Sequence, residues 1–125
     1  MLVLVIDDTP DNRDLYMQFL AAHGLDVIGA ADGPAGIEAA RAAHPDVIVL
    51  DMRLPRVDGW EVARRLKADE ATRGIGLIAV TGHGTGEARQ RALDAGIDDY
   101  LVKPCAPEDV LAAIVNWRRD GRPRA

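Results

Sequence analysis

The chain has one cysteine, Cys105, among 125 residues, and aromatic residues make up only 4% of it. A single cysteine excludes an internal disulfide and fits a reducing, cytoplasmic environment. No apolar run approaches the roughly 20 residues that a membrane-spanning helix needs, and the sequence starts with a strand-like segment rather than a signal peptide. The net charge of -5 argues against a surface that binds nucleic acid throughout. These absences favour a cytoplasmic protein without direct nucleic-acid or membrane contact.

Five short apolar segments are strand-like, and a segment of helical character follows each of them. The central one, residues 47–50, has three β-branched residues followed by Leu50, as in a strand that is buried on both faces. The others lie at residues 2–6, 26–30, 74–80 and 100–102. Strands that alternate with helices predict an α/β fold with a (βα)5 doubly wound, five-stranded parallel sheet. Five units are too few for a closed eight-stranded barrel.

The hydrophobic fraction of 48% suits one domain with a single core. We expect this domain at residues 1–118, and a polar, arginine-rich tail or the start of a linker at residues 119–125. Thr9 and Pro10 predict the first helix start, with Thr9 as N-cap. Helical spacing predicts that this helix buries a stripe of Leu15, Tyr16, Phe19 and Leu20, and that the last helix buries Val110, Leu111, Ile114 and Val115.

Polar side chains follow four of the predicted strands directly: Asp7 and Asp8, Asp51, Thr81, and Lys103. Because the carboxyl ends of parallel strands meet at one edge of the sheet, we expect these groups to lie together, where open α/β sheets bind ligands. Clustered carboxylates attract a hard divalent cation, and oxygen ligands suit Mg²⁺. The sequence offers no cluster of cysteine and histidine, which disfavours zinc. A magnesium site is therefore expected at this edge.

The remaining groups at this edge suit a phosphoryl group. The ammonium of Lys103 is a point charge that matches a phosphoryl oxygen, and the Thr81 hydroxyl and the Gly82 amide could donate to another. Only two lysines occur beside thirteen arginines, which indicates that the residue type at position 103 matters. The set could hold a transferring phosphoryl group between metal and lysine, with a carboxylate as acceptor.

From about residue 2 to residue 118, the chain resembles a response-regulator receiver domain of two-component signalling, a CheY-like phosphoacceptor domain. This resemblance implies a flavodoxin-like topology for the five-stranded sheet. Each matching motif is a weak signal by itself, but their order and spacing together are specific. They are the acidic pair Asp7-Asp8, the strand-end Asp51, the loop with Leu54-Pro55 and Asp58-Gly59, Thr81-Gly82, and Tyr100 three residues before Lys103-Pro104. One position departs from the pattern, because Cys105 stands where the family usually has an aromatic residue.

The resemblance implies a signalling switch that catalyses only its own phosphorylation and dephosphorylation, not an enzyme that acts on other substrates. Asp51 would accept a phosphoryl group from a sensor histidine kinase or a phosphotransfer protein. Asp8, Asp51 and the backbone carbonyl of Met52 would bind Mg²⁺, with Asp7 helping through water. Lys103 would pair with Asp51 and then with its phosphoryl group, and the peptide bond between Lys103 and Pro104 would be cis.

The resemblance also implies a switch residue pair. Thr81 would move toward the phosphoryl oxygens and Tyr100 would turn inward with it, which would alter the face formed by the fourth helix, fifth strand and fifth helix. An unknown downstream protein would bind this face, and the chain would be a monomer or a phosphorylation-dependent dimer. Arg53 and His83, two residues beyond Asp51 and Thr81, are candidates for tuning how fast water reaches the acyl phosphate, or are solvated loop residues.

Two other functions fit the residues less well. A Mg²⁺-dependent phosphohydrolase of the haloacid dehalogenase type also uses a strand-end aspartate, but it requires a second aspartate two residues later, where this chain has Arg53. A nucleotide-binding flavodoxin-like domain would need a glycine-rich phosphate loop after the first strand, where Asp7 and Asp8 stand instead. A stand-alone receiver and a piece of a longer protein both stay open.

Overall fold

The computed structural model describes residues 1–82 and 84–119. Strands and helices alternate along the chain. The strands are β1 (Leu2–Ile6), β2 (Asp26–Ala30), β3 (Val47–Asp51), β4 (Gly76–Thr81) and β5 (Asp99–Val102). The helices are α1 (Pro10–Ala22), α2 (Gly33–Ala43), α3 (Gly59–Ala68), α4 (Gly86–Asp94) and α5 (Pro107–Arg119).

The five strands form one parallel sheet in the order β2-β1-β3-β4-β5, so the chain winds outward from the middle in both directions. This confirms the predicted (βα)5 doubly wound sheet. Strand β4 begins two residues later than predicted, because the Ile75 amide donates to the Thr72 carbonyl in the turn after α3. Helix α5 extends through Arg119, and the rest of the predicted tail, residues 120–125, lies outside the described residues.

Each face of the sheet has its own apolar cluster. Strand β3 is buried throughout and supplies both, with Ile48 and Leu50 pointing to one side and Val47 and Val49 to the other. Helices α2, α3 and α4 cover the first side, and helices α1 and α5 cover the second. Burial on both faces is what the continuous apolar run of β3 predicted. Among the described helices, none combines the length and apolar character needed to cross a membrane.

The predicted apolar stripes of the outer helices were too wide. In α1, Tyr16 and Leu20 are buried, whereas Leu15 is 53% exposed. In α5, Val110 and Ile114 are buried, whereas Val115 is 46% exposed. Neighbouring residues of a helix point about 100° apart, so a residue next to a buried position turns out of the interface unless a second layer covers it.

Side-chain hydrogen bonds cap the starts of three helices, α2, α3 and α4, but not the start of α1. Thr9 is the N-cap residue of α1 as predicted, but its side chain makes no capping hydrogen bond, and Pro10 occupies the first turn. In contrast, Asp32, Asp58 and Thr85 each accept a hydrogen bond from the amide three residues later, at the starts of α2, α3 and α4. These capped starts fix the loops that leave the carboxyl edge of the sheet.

Helix α2 ends at His44, whose φ of 49° is in the left-handed region. We expect His44→Gly to raise the free energy of unfolding by about 0.5–1 kcal/mol, because glycine adopts this conformation without a steric penalty. His23, which ends α1, has a φ of -99° and a ring nitrogen 2.9 Å from the Phe19 carbonyl oxygen. His23→Gly should therefore destabilise the protein. Urea unfolding of both variants checks the pair, and equal effects would contradict the explanation.

Candidate functional site

The sheet order brings the acidic pair to the strand-end aspartate. Strands β1 and β3 are neighbours, with Val5 opposite Val49 and Ile6 opposite Leu50. The next residues in this register are Asp7 and Asp51. Carboxylate oxygens of Asp7, Asp8 and Asp51 all lie within 4.8 Å of one another. The predicted convergence of these carboxylates is therefore present in the structure.

Two of these carboxylates are removed from solvent. Asp7 is 2% exposed and Asp51 is 5% exposed, while Asp8 is exposed. Burial raises the pKa of Asp7 above its ordinary value, and the charges of Asp51 and Asp8 raise it further, against lowering by the Thr9 amide hydrogen bond and by Lys103. The folded chain thus holds negative charge where it is poorly solvated, and a bound cation would relieve the repulsion.

Both oxygens of Asp51 face hydrogen-bond donors. The Lys103 ammonium lies 3.3 Å from Oδ2, and the backbone amide of Arg53 donates to Oδ1 at 3.0 Å. The Lys103 amide donates to the Thr81 carbonyl at 2.7 Å, which ties the end of β5 to the end of β4. The peptide between Lys103 and Pro104 is cis, as the resemblance implied. The pairing predicted for Lys103 with Asp51 is present without any modification.

A cleft of about 940 Å³ opens beside Asp51, and the Arg53 side chain, Thr81, Tyr100 and Lys103 line it. Thr81 is buried at the end of β4, and Gly82 follows it exposed at the surface. Tyr100 is 3% exposed and so already points inward. The movement predicted for Thr81 and Tyr100 stays a prediction.

Two further predicted site residues are Met52 and His83. The Met52 carbonyl accepts a hydrogen bond from the Gly59 amide at 3.1 Å. If the Met52 carbonyl oxygen bound a metal ion, the same oxygen would also accept the hydrogen bond from the Gly59 amide. His83 lies outside the described residues.

Three contacts near the site were not predicted from the sequence: one cation–π contact and two hydrogen bonds from side chains to backbone carbonyls. The Arg91 guanidinium of α4 lies 4.1 Å from the ring centroid of Trp60 on α3, and both residues line the cleft. On α1, the Arg13 side chain donates to the Asp7 carbonyl at 2.8 Å, and the Tyr16 hydroxyl donates to the Cys105 carbonyl at 3.1 Å. Their three-residue spacing, which puts two side chains on one helix face, was the only sequence signal.

Comparison with known proteins identifies the family. The response regulator receiver domain family matches residues 3–115. A DNA-binding dual master transcriptional regulator of Synechocystis sp., RpaA, is 41% identical over 90% of this chain, which covers 46% of that regulator. A hybrid signal transduction histidine kinase of Dictyostelium discoideum is 35% identical over 92% of this chain and 7% of that kinase. The chain thus spans half or less of these two relatives.

Solved structures show the same fold. The chemotaxis protein CheY4 of Vibrio cholerae superposes with a TM-score of 0.86 at 28% identity, over 92% of this chain and 96% of that one. The receiver domain of a sensor histidine kinase of Pseudomonas aeruginosa, described with a magnesium ion in its active-site cleft, superposes with a TM-score of 0.83 at 31% identity. This match covers 93% of this chain and 95% of that one.

These relatives give no support to the haloacid dehalogenase alternative, whose second aspartate is replaced here by Arg53. The match extends over nearly the whole described fold and includes the strand ends that carry the acidic cluster and Lys103. The chain belongs to the response-regulator receiver domain family of two-component signalling.

Proposed function

We propose that Asp51 is the phosphoacceptor of this receiver domain and that phosphorylation of its carboxylate switches a partner-binding face. The observation that carries the proposal is the position of Asp51, a buried carboxylate between two other carboxylates and the Lys103 ammonium. A structural strand-end aspartate would not need these neighbours. The donor would be a phosphohistidine of a sensor kinase or of a phosphotransfer protein.

The chemical step is a substitution at phosphorus. An oxygen of the Asp51 carboxylate attacks, the bond between phosphorus and the donor nitrogen breaks, and its electron pair leaves with the imidazole. Lys103, 3.3 Å from Asp51, is close enough to follow the charge from the carboxylate to the transferred phosphoryl oxygens. The Thr81 hydroxyl and the Gly82 amide are the proposed donors to the phosphoryl group.

The acidic cluster fits Mg²⁺. Its oxygens come from Asp7, Asp8 and Asp51, and the exposure of Asp8 leaves one side open to water, which Mg²⁺ usually retains. The Met52 carbonyl is the further proposed ligand. When bound, the cation would neutralise phosphoryl charge and bring the donor to Asp51. The raised pKa of Asp7 supports this assignment, because buried negative charge without a cation is costly.

The proposed output is a change of the face formed by α4, β5 and α5, coupled to the site through Thr81 and Tyr100. A downstream protein of unknown identity would bind this face. The chain itself is proposed to be a monomer or a phosphorylation-dependent dimer. Arg53, exposed at the cleft, and His83 are proposed to influence how fast water reaches the phosphoryl group. A cytoplasmic location, without direct contact to nucleic acid or membrane, is proposed for this domain.

We expect one phosphoryl group to be added to Asp51 when the protein is incubated with Mg²⁺ and acetyl phosphate. Intact-mass measurement should show the gain in the parent and not in Asp51→Asn, because the amide is not a nucleophile. Asp58→Asn is the matched control, since Asp58 lines the same cleft and asparagine keeps its capping acceptor for the Glu61 amide. A phosphorylated Asp51→Asn protein, or a parent that gains nothing, would contradict the proposal.

We expect Asp7→Asn to raise the free energy of unfolding at pH 7 in a chelator. The pKa of Asp7 in the folded state lies above its ordinary value of 3.8, so the folded state loses stability as the pH rises through that folded-state pKa. The difference in the free energy of unfolding between Asp7→Asn and the parent should therefore vanish below about pH 3.8 and grow as the pH rises above it. Denaturant unfolding across this pH range measures it.

Asp8→Asn is the control for this measurement, because Asp8 is exposed and loses less solvation than Asp7. Mg²⁺ should stabilise the parent more than either variant, since each has lost one carboxylate of the cluster. If Mg²⁺ stabilises the parent and both variants equally, the cluster is not the metal site.

A further inference from the structure

The hydroxyl of Tyr16 makes a long-range contact from α1 to the loop after β5. It donates to the Cys105 carbonyl at 3.1 Å, between residues 89 apart in the sequence. The Tyr16 ring is buried in the apolar cluster beneath α1 and α5, and Cys105 packs against that cluster. Burial is the main cause that raises the pKa of Tyr16 to about 12, with smaller contributions from Asp7, Asp51, Asp109 and, once it ionises at alkaline pH, the Cys105 thiol. The Tyr16 hydroxyl therefore keeps its proton at neutral pH.

This contact holds the segment that carries the site lysine. Lys103 lies two residues before Cys105, and its own amide donates to the Thr81 carbonyl at 2.7 Å. The segment 103–105 is thus tied to β4 at its first residue and to α1 at its last. The Lys103 ammonium reaches Asp51 from this segment, so a shift of the segment would change its 3.3 Å distance from the carboxylate.

The same helix also contacts the acidic loop. Arg13, three residues before Tyr16 and therefore on the same side of α1, donates to the Asp7 carbonyl at 2.8 Å. One side of α1 therefore contacts the backbone of both loops whose charges meet at Asp51. The positions of these loops relative to each other depend on α1 as well as on the sheet.

We propose that Tyr16 is a positioning residue that, through the Cys105 carbonyl, holds the Lys103 ammonium against Asp51 and then against the phosphoryl group. The inference rests on the proposed function of Asp51. It assigns Tyr16 a role outside the motif residues, because Tyr16 does not touch the reacting atoms and acts only on the loop that carries Lys103.

Tyr16→Phe tests the proposal, since it removes one oxygen and keeps the buried ring. We expect phosphorylation of Asp51 by acetyl phosphate at saturating Mg²⁺ to slow by about fivefold, the effect of one lost hydrogen bond. In a Lys103→Ala background, the same substitution should leave the remaining rate unchanged, because the group that Tyr16 positions is gone.

Thr72→Val is the matched control. The Thr72 hydroxyl is also buried and donates to a backbone carbonyl, that of Leu66, at 2.7 Å. It lies in the turn between α3 and β4, at the opposite edge of the sheet from Asp51. This variant should lose stability as Tyr16→Phe does, yet be phosphorylated at the parent rate.

A second readout needs no phosphorylation. The chain has two lysines, Lys67 and Lys103, so reductive ¹³C-methylation gives two lysine side-chain signals that Lys67→Arg assigns. Tyr16→Phe should shift the Lys103 signal. The Lys67 signal should stay in place, because the Lys67 ammonium donates to the carbonyls of Arg73 and Ile75, far from α1.

The outcomes separate the two proposals. A phosphorylated parent with an unchanged rate and an unchanged Lys103 signal in Tyr16→Phe overturns the positioning role alone. The same loss of rate in the Lys103→Ala background also overturns it, because Tyr16 would then act on stability in general. A parent that is not phosphorylated overturns the proposed function, and the Lys103 signal still decides whether Tyr16 positions the lysine.

Discussion

The structure depends on the balance between three carboxylates and one ammonium at the carboxyl edge of the sheet. Asp7 and Asp51 are almost without solvent, and Lys103 lies 3.3 Å from Asp51. One ammonium cannot neutralise three carboxylates, so the site keeps an excess of negative charge that the fold has to hold in place. That excess gives the site its chemical capacity, since it favours a divalent cation and, with the cation, a phosphoryl group.

The fold can hold this unfavourable charge because the strands that lead to Asp7 and Asp51 are apolar and buried. Strands β1 and β3 are buried along almost their whole length, with apolar clusters on both faces. Their parallel register places the residues that follow them side by side. Helix α1 adds contacts to the backbone of the acidic loop and of the lysine loop. Hydrophobic burial thus stabilises the folded state and offsets the cost of burying the charge cluster.

Much of the site could be predicted because its residues stand at strand ends. An apolar segment that stops at a charged residue is visible in the sequence, as at Asp51 and Lys103, and parallel strands bring such ends to one edge. Predictions of which way individual side chains point were less accurate. Leu15 and Val115 were placed in the core but are exposed, because a helix surface is only partly covered. The cap at Thr9 was right in position, but its side chain makes no hydrogen bond.

The sequence by itself determined the alternation of strands and helices, the family, and the residue types at the strand ends, because these depend on short-range patterns and fixed spacings. Only the tertiary structure decided the burial that raises the pKa of Asp7 and the contact of Tyr16 with Cys105. The stacking of Arg91 on Trp60 belongs with them. Each of these joins residues far apart in the chain, and chain folding in three dimensions, not local propensity, brings them together.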